Sequence, residues 1–218
     1  MAGAPAGTVV VAEEQTAGRG RQGRSWSAPR GRGLTFSVLL RPEPADLAML
    51  PLAAAVAVCE ACESVAAVEC AIKWPNDVLI DGRKLAGILI ESRPQEGWAV
   101  VGIGINVNVS PDELGPELER TATSLQIETG APVDRGRVLD ALIKGLAART
   151  GAGALTSPGL LPDYRARDAL KGRSISWSAG ETSLEGIASG IDELGNLVVF
   201  TSSGERVALD AGEVHLGR

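Results

Sequence analysis

Residues 73–91 read Lys-Trp-Pro-Asn-Asp-Val-Leu-Ile-Asp-Gly-Arg-Lys-Leu-Ala-Gly-Ile-Leu-Ile-Glu. At their centre Asp81-Gly82 separates two apolar runs, Asp77–Ile80 and Lys84–Glu91. Asp-Gly suits a type I′ turn, whose two central residues both need positive φ, so this stretch predicts an antiparallel hairpin. Upstream, Val65–Lys73 reads as a strand that stops at Trp74-Pro75, and Thr8–Glu13 and Leu34–Leu40 read as further strands. Trp98–Val109 is apolar along most of its length, which places it centrally in a sheet. Strands and helices do not alternate regularly. The pattern predicts an α+β fold over about residues 1–170, a mixed, largely antiparallel sheet with helices packed on it.

Asp46 is a candidate N-cap for a helix running to about Ser64, with Pro51 near its start. Asp134 caps a second helix in which Val138, Leu139, Leu142, Ile143 and Leu146 recur at helical spacing. A short helix is expected around Pro162–Asp168. After Gly172 the texture changes. Short strands at Ser174–Trp177, Leu184–Ile191, Leu197–Phe200 and Val207–Leu209 are punctuated by Ala179-Gly180, Leu194-Gly195-Asn196 and Ser203-Gly204. Closely spaced short strands with turn signals predict a small β-barrel over 171–218, with the boundary near residue 171.

Composition narrows the class. The chain has 218 residues, 44% hydrophobic but only 3% aromatic, so Ala, Val, Leu and Ile must build its core. No uncharged apolar run approaches the roughly 18 residues that span a bilayer, and the N-terminus lacks the pattern of a signal peptide. A cytoplasmic protein with no membrane partner is expected. Cys59 and Cys62 form a Cys-x-x-Cys that is open to redox or zinc chemistry. They lie in the Ala-rich run Leu52–Val65, and the one histidine, His215, is far along the chain, so these thiols and Cys70 read as small core residues.

Residues 18–33 concentrate five arginines and five glycines in a chain of net charge −6. Glycine lets backbone N–H groups approach an anion, and arginine grips phosphate or carboxylate through two parallel hydrogen bonds. The simplest reading is a site for a small anion. A solvated surface loop is the plain alternative. An RNA contact of the Arg-Gly type would call for further basic patches and aromatic platforms, and 21 Lys+Arg against 27 Asp+Glu argue against it.

Three segments then stand together: Glu14–Trp26; Lys73–Asp77 followed by Arg83–Glu91; and Gly102-Ile-Gly-Ile-Asn-Val-Asn108. In this order they resemble the biotin–protein ligases, and the barrel-like tail resembles the SH3-like C-terminal domain of that family. The resemblance covers nearly the whole chain, and the first two motifs are highly specific. It implies a catalytic domain of the class II aminoacyl-tRNA synthetase/biotin ligase type over 1–170. It also implies a reaction in which biotin and ATP give biotinyl-5′-adenylate, which then acylates a lysine of a biotin carboxyl carrier domain of an acyl-CoA carboxylase. A lipoate-type ligase is the neighbouring alternative, and an inactive ligase-like protein a second.

Joining two anions calls for concentrated positive charge and a hard cation, Mg²⁺. By resemblance, Lys84 and Arg21 are the catalytic candidates. Gln15, Arg19, Gly20, Arg21, Lys84, Gly102 and Gly104 are the biotin-contacting candidates. Arg24, Trp26, Asn76 and Asn106 are assigned to the nucleotide and Asp77 to the metal. Taken singly, several have plainer readings: Lys84 as a hairpin-end lysine, Asp77 as a turn residue, Lys73 as a strand-end charge and Trp26 as a loop anchor. Gly102 and Gly104 leave room for a flat ligand against their strand. The family also carries a Ser-Thr-Asn segment upstream of the first motif that contacts biotin. This sequence starts Met1-Ala-Gly-Ala-Pro5 without it, so weak biotin binding and an exposed strand edge near Thr8–Ala12 are expected. There is no helix-turn-helix pattern either, so no nucleic-acid partner is expected. Relatives occur as monomers and dimers, and a homodimer is open.

Overall fold

The computed structural model describes residues 3–179 and 182–217. In chain order the strands are β1 (Val9–Ala12), β2 (Gln15–Arg19), β3 (Ser25–Ala28), β4 (Leu34–Leu40), β5 (Ala71–Lys73), β6 (Asp77–Ile80), β7 (Arg83–Arg93), β8 (Trp98–Ile105), β9 (Ser174–Ala179), β10 (Thr182–Ile191), β11 (Leu197–Thr201), β12 (Arg206–Leu209) and β13 (Val214–Leu216). The helices are α1 (Leu50–Val65), α2 (Pro111–Leu114), α3 (Leu125–Thr129), α4 (Arg135–Thr150) and α5 (Leu160–Arg165).

The Asp81-Gly82 turn is as the sequence demands, with φ of 49° and 77°. It joins β6 to β7 in a six-stranded sheet of order β1-β4-β8-β7-β6-β5, and β8 is central. Every neighbouring pair in that sheet is antiparallel. The parallel pairings among the described residues are isolated bridges, Ile72 with Asp168 and Lys84 with Ala122. Alternation along β8 turns Val101 and Ile103 into the core and Val100, Gly102 and Gly104 towards a cavity. Helix α1 packs against α4, α5 and the sheet. The segment Pro44–Val65 is long and apolar enough to cross a membrane, but it holds the buried α1, whose residues from Leu52 to Cys59 are at most 2% exposed. Cys59, Cys62 and Cys70 are buried free thiols, as expected of core residues.

Several expectations shift. Asp46 does not cap the long helix. Pro44–Met49 forms a 3₁₀ segment, and α1 starts at Leu50 with Pro51 in its first turn. An α-helix capped at Asp46 would put Pro51 one turn in, where its missing N–H breaks the i→i−4 ladder. The strand expected from Val65 begins only at Ala71, because the Ala-rich helix runs through Val65. Asp134 does cap α4, its Oδ1 accepting from the N–H groups of Gly136 (2.8 Å) and Arg137 (3.2 Å). Val138, Leu142 and Leu146 are buried there as expected, but Ile143 is exposed. The edge strand β1 presents exposed Val9, Val10 and Val11.

The C-terminal strands form a second antiparallel sheet, order β12-β11-β10-β9-β13. Strand β13 is too short to carry a period-2 signal, and the sequence reading misses it. Gly180 of the expected turn lies outside the described residues. One core runs through both sheets, with Ile175, Trp177, Leu197 and Val214 in the same cluster as α1. The indole N–H of Trp74 donates to the Gly195 carbonyl across the junction (3.1 Å).

Candidate active site

The glycine- and arginine-rich stretch is more ordered than a loop. Strands β2 and β3 pair as a hairpin, Gly18 opposite Trp26 and Arg19 opposite Ser25, and Arg21–Gly23 turns its tip. Gln22 stands at φ 54° in that tip, and the Gly20 N–H closes it on the Arg24 carbonyl (2.7 Å). The hairpin covers one face of β4, β8 and β7 and encloses a cavity of about 310 Å³. That volume lies at the lower end for small-molecule sites.

Nearly all the residues singled out in the sequence meet at this cavity. Gln15, Arg19, Gly20, Arg21, Arg24 and Trp26 line it from the hairpin. Lys73, Asn76 and Asp77 line it from the β5–β6 connection, Lys84 from β7, and Gly102 and Gly104 from β8. Lys84 Nζ lies 2.6 Å from Asp77 Oδ1. The two are paired by charge without hydrogen-bond alignment, so Asp77 Oδ1 remains a buried acceptor. The same ammonium stands 5.8 Å from the Trp26 ring. Arg21 donates to Asn76 Oδ1 (3.2 Å) and to the Gly212 carbonyl (3.1 Å), and Asn76 in turn donates to the Ile88 carbonyl (3.0 Å). Arg19 pairs with Glu91 at 3.1 Å, and Arg24 pairs with Glu213.

Two placements depart from the sequence reading. Asn106 is buried and is not part of the cavity wall. Its side-chain amide donates to the Thr123 carbonyl (3.0 Å) and its N–H to the Leu85 carbonyl (3.0 Å), so it stitches the strand that carries Lys84. The space above Gly104 is filled by the chain itself. A Cβ there would stand 2.4 Å from Trp26 Cε2 and 2.5 Å from Nε1, so the indole lies directly on the strand. Gly87, opposite Gly104, borders the same ring, its virtual Cβ 3.4 Å from Trp26 Cζ3. The Trp26 Nε1–H is buried without an acceptor. A buried unpaired donor in a cavity wall is costly unless something else meets it.

Sequence reasoning missed the far wall. Gly212, Glu213 and Val214, from the loop entering β13, complete the cavity. Burial pushes the Glu213 carboxyl up, but the hydrogen bond from Arg24 and the charges of Arg24, His215 and Lys73 outweigh it and hold the group below the usual range. No spacing rule brings residue 213 to residue 24, so only the folded chain reveals the contact.

The chain matches the Biotin/lipoate A/B protein ligase family over residues 1–108 and the biotin protein ligase C-terminal domain over 176–217. It is 39% identical over 215 residues to a biotin--[acetyl-CoA-carboxylase] ligase of Mycobacterium tuberculosis, covering 95% of this chain and 78% of that protein. The chain belongs to the biotin protein ligase family. Relatives within it differ in length. A bifunctional ligase/repressor of Bacillus subtilis is 45% identical over 145 residues, 64% of this chain, and the match spans only 45% of that relative. Among solved structures, a biotin protein ligase from Aquifex aeolicus in complex with biotin and ATP superposes with a TM-score of 0.87 at 34% identity, covering 99% of this chain and 90% of that one. The α+β fold and the C-terminal β-sheet unit expected of this family are both present.

Proposed function

We propose that this chain is an ATP-dependent biotin–protein ligase. In the first step a biotin carboxylate oxygen attacks the α-phosphorus of ATP. The bond to the leaving pyrophosphate breaks and biotinyl-5′-adenylate remains. In the second, the neutral amine of an acceptor lysine attacks the biotinyl carbonyl carbon, AMP leaves with the C–O electron pair, the nitrogen gives up one proton to solvent, and an amide forms. The acceptor is a biotin carboxyl carrier domain, and the setting is cytoplasmic. We assign the catalytic unit to residues 1–170 and the C-terminal unit to 171–218.

One observation carries this reading: motifs separated by up to some 90 residues of sequence converge on a single cavity whose roof is arginine-rich. We assign the roles from resemblance, supported by position. Lys84 pairs with the half-buried Asp77 carboxylate, and its compact charge bridges the biotin carboxylate and the α-phosphate. Arg21, held by Asn76 and Gly212, supplies a second cation from above. Arg19 and Gly20 close over the carboxylate, and Gln15 meets the neutral ring of biotin. Arg24 reaches the outer phosphates. A closed hairpin excludes water from a hydrolysable mixed anhydride.

The residues also suit Mg²⁺. Among the described residues no three His, Cys, Asp or Glu side chains gather as a metal nest. Magnesium on a nucleotide needs only one or two carboxylates besides phosphate and water, and Asp77 Oδ1 is a buried oxygen of that kind. Bound there, the ion would neutralise phosphate charge. Asn106 acts at one remove, by holding the Lys84 strand. The test is transfer of labelled biotin to a carrier domain with ATP and magnesium. Labelling of the acceptor lysine is the expected result, and its absence with an intact carrier domain would refute the proposal.

A further inference from the structure

Glu213 stands among basic side chains. Arg24 pairs with it directly, His215 Nε2 lies 3.8 Å from it, and Lys73 acts on it from the β5–β6 side. Arg24, Lys73 and Glu213 all face the cavity. Two like charges, Arg24 and Lys73, face one wall of the cavity, and the chain supplies an anion to that wall from the loop before β13. Its neighbour Gly212 accepts a hydrogen bond from Arg21. The tip of the arginine hairpin is therefore tied to the C-terminal sheet at two points, one neutral and one charged.

Resting on the ligase reading above, we propose that Glu213 is a positioning residue that occupies the subsite of the outer phosphates. It holds Arg24 in the ligand-free chain and yields it to the triphosphate. The side chain of Arg24 is 60% exposed, so the pair lies within reach of an incoming polyanion and is screened by solvent. A doubly or triply charged phosphate chain outcompetes one carboxylate for the same guanidinium, because its charge is greater and its oxygens match the fork. The neutral tie from Arg21 to Gly212 does not compete with phosphate. The exchange therefore releases the charged tie and leaves the hairpin docked.

The experiment compares the parent, Glu213→Gln, Arg24→Gln and the double variant by calorimetry with ATP and with inorganic pyrophosphate. Hydrogen exchange at amides 19–26 of the ligand-free chains accompanies it. Glu213→Gln is expected to tighten binding of both ligands about two- to fivefold, the factor that removing a competing exposed ion pair is worth. It should also speed exchange in the hairpin tip. In the Arg24→Gln background the same substitution should change neither quantity, which a merely structural glutamate would not show. Weaker ligand binding by Glu213→Gln, an unchanged exchange rate, or an undiminished effect in the Arg24→Gln background would each overturn the proposal. A parent chain that binds neither ATP nor pyrophosphate would refute the ligase reading instead, and the exchange measurements would still decide the tie.

Discussion

Gly104→Ala is the sharpest single probe of how this site is built. The added Cβ would lie 2.4, 2.5 and 2.7 Å from Trp26 Cε2, Nε1 and Cζ2, against an ordinary carbon–carbon contact of about 3.5–4.0 Å. The ring must lift by about 1 Å, and overpacking of that kind costs about 1–3 kcal/mol. Which partner yields is decided by their supports. Gly104 sits on the central strand β8, between Thr35 and Gly87. Trp26 sits on a two-stranded hairpin, the least stable kind of β-structure. The hairpin yields, so the cost falls on the closed site and not on the core. The expected result is a melting temperature within about 3 °C of the parent. The affinity for a non-hydrolysable biotinyl-adenylate should fall about 10- to 100-fold, which corresponds to about 1.4–2.8 kcal/mol. Gly102→Ala is the comparison: its Cβ would meet Leu89 O at 3.4 Å and Ser37 Oγ at 3.7 Å, with no ring in the way, so Trp26 stays in place. Differential scanning fluorimetry and calorimetry read both quantities. Parent-like adenylate affinity in Gly104→Ala, or a loss of stability undiminished in a Trp26→Ala background, would refute this account of the roof.

Lys84→Ala should abolish pyrophosphate release with little change in melting temperature, and Lys84→Arg should not restore the rate, because a planar fork cannot replace a point charge beside Asp77. Near-normal release by either variant counts against Lys84. Arg21→Gly removes the bonds to Asn76 and Gly212 and should leak biotinyl-adenylate, seen as labelling of bystander lysines; retention of the adenylate as long as in the parent would show that the hairpin is not a lid. Asp168 is partly buried with Oδ2 unpaired, and burial raises its pKa despite hydrogen bonds from the Leu170 and Lys171 backbone. A raised carboxyl pKa opposes folding at pH values above the unfolded-state pKa, so Asp168→Asn should raise the melting temperature at pH 7, with the gain vanishing below about pH 4 where both states bind the proton. A gain that persists at pH 3, or a loss at pH 7, would show that the charge is not the cause.

Most of the sheet was legible because its signals are local. Asp81-Gly82 fixes a hairpin by turn chemistry, and the apolar run Trp98–Val109 marks the strand that lies centrally as β8. The long helix was legible in extent but not in its start, since Pro51 overrules the better capping residue Asp46. The residues of the site were legible as motifs, whereas their contacts were not. Gly104 reads in the sequence as room for a ligand, and in the fold that room belongs to Trp26. The difference is one of distance: residues 26 and 104 meet only because a hairpin folds across the sheet, and no periodicity reports it. Gly212 and Glu213 were invisible for the same reason.

The C-terminal sheet is better understood as a wall of the site than as an appendage. Its core is continuous with that of the larger sheet, and Trp74, next to Lys73, is pinned to Gly195 within it. Its last loop then returns to hold Arg21 and Arg24. The arginines of the hairpin tip are thus held by groups of different kinds: Arg21 by a carbonyl and an amide oxygen, the exposed Arg19 and Arg24 by carboxylates. Exposed ion pairs of this sort are worth about 0–1 kcal/mol each. That weakness fits the proposed ligase, whose roof would admit anionic substrates and release an anionic product. Under the proposed ligase reading, carboxylates strong enough to lock the hairpin would compete with the phosphates, whereas arginines left without partners would repel one another. The chain supplies those carboxylates itself, as Glu91 and Glu213, and under the proposed ligase reading a ligand takes their place.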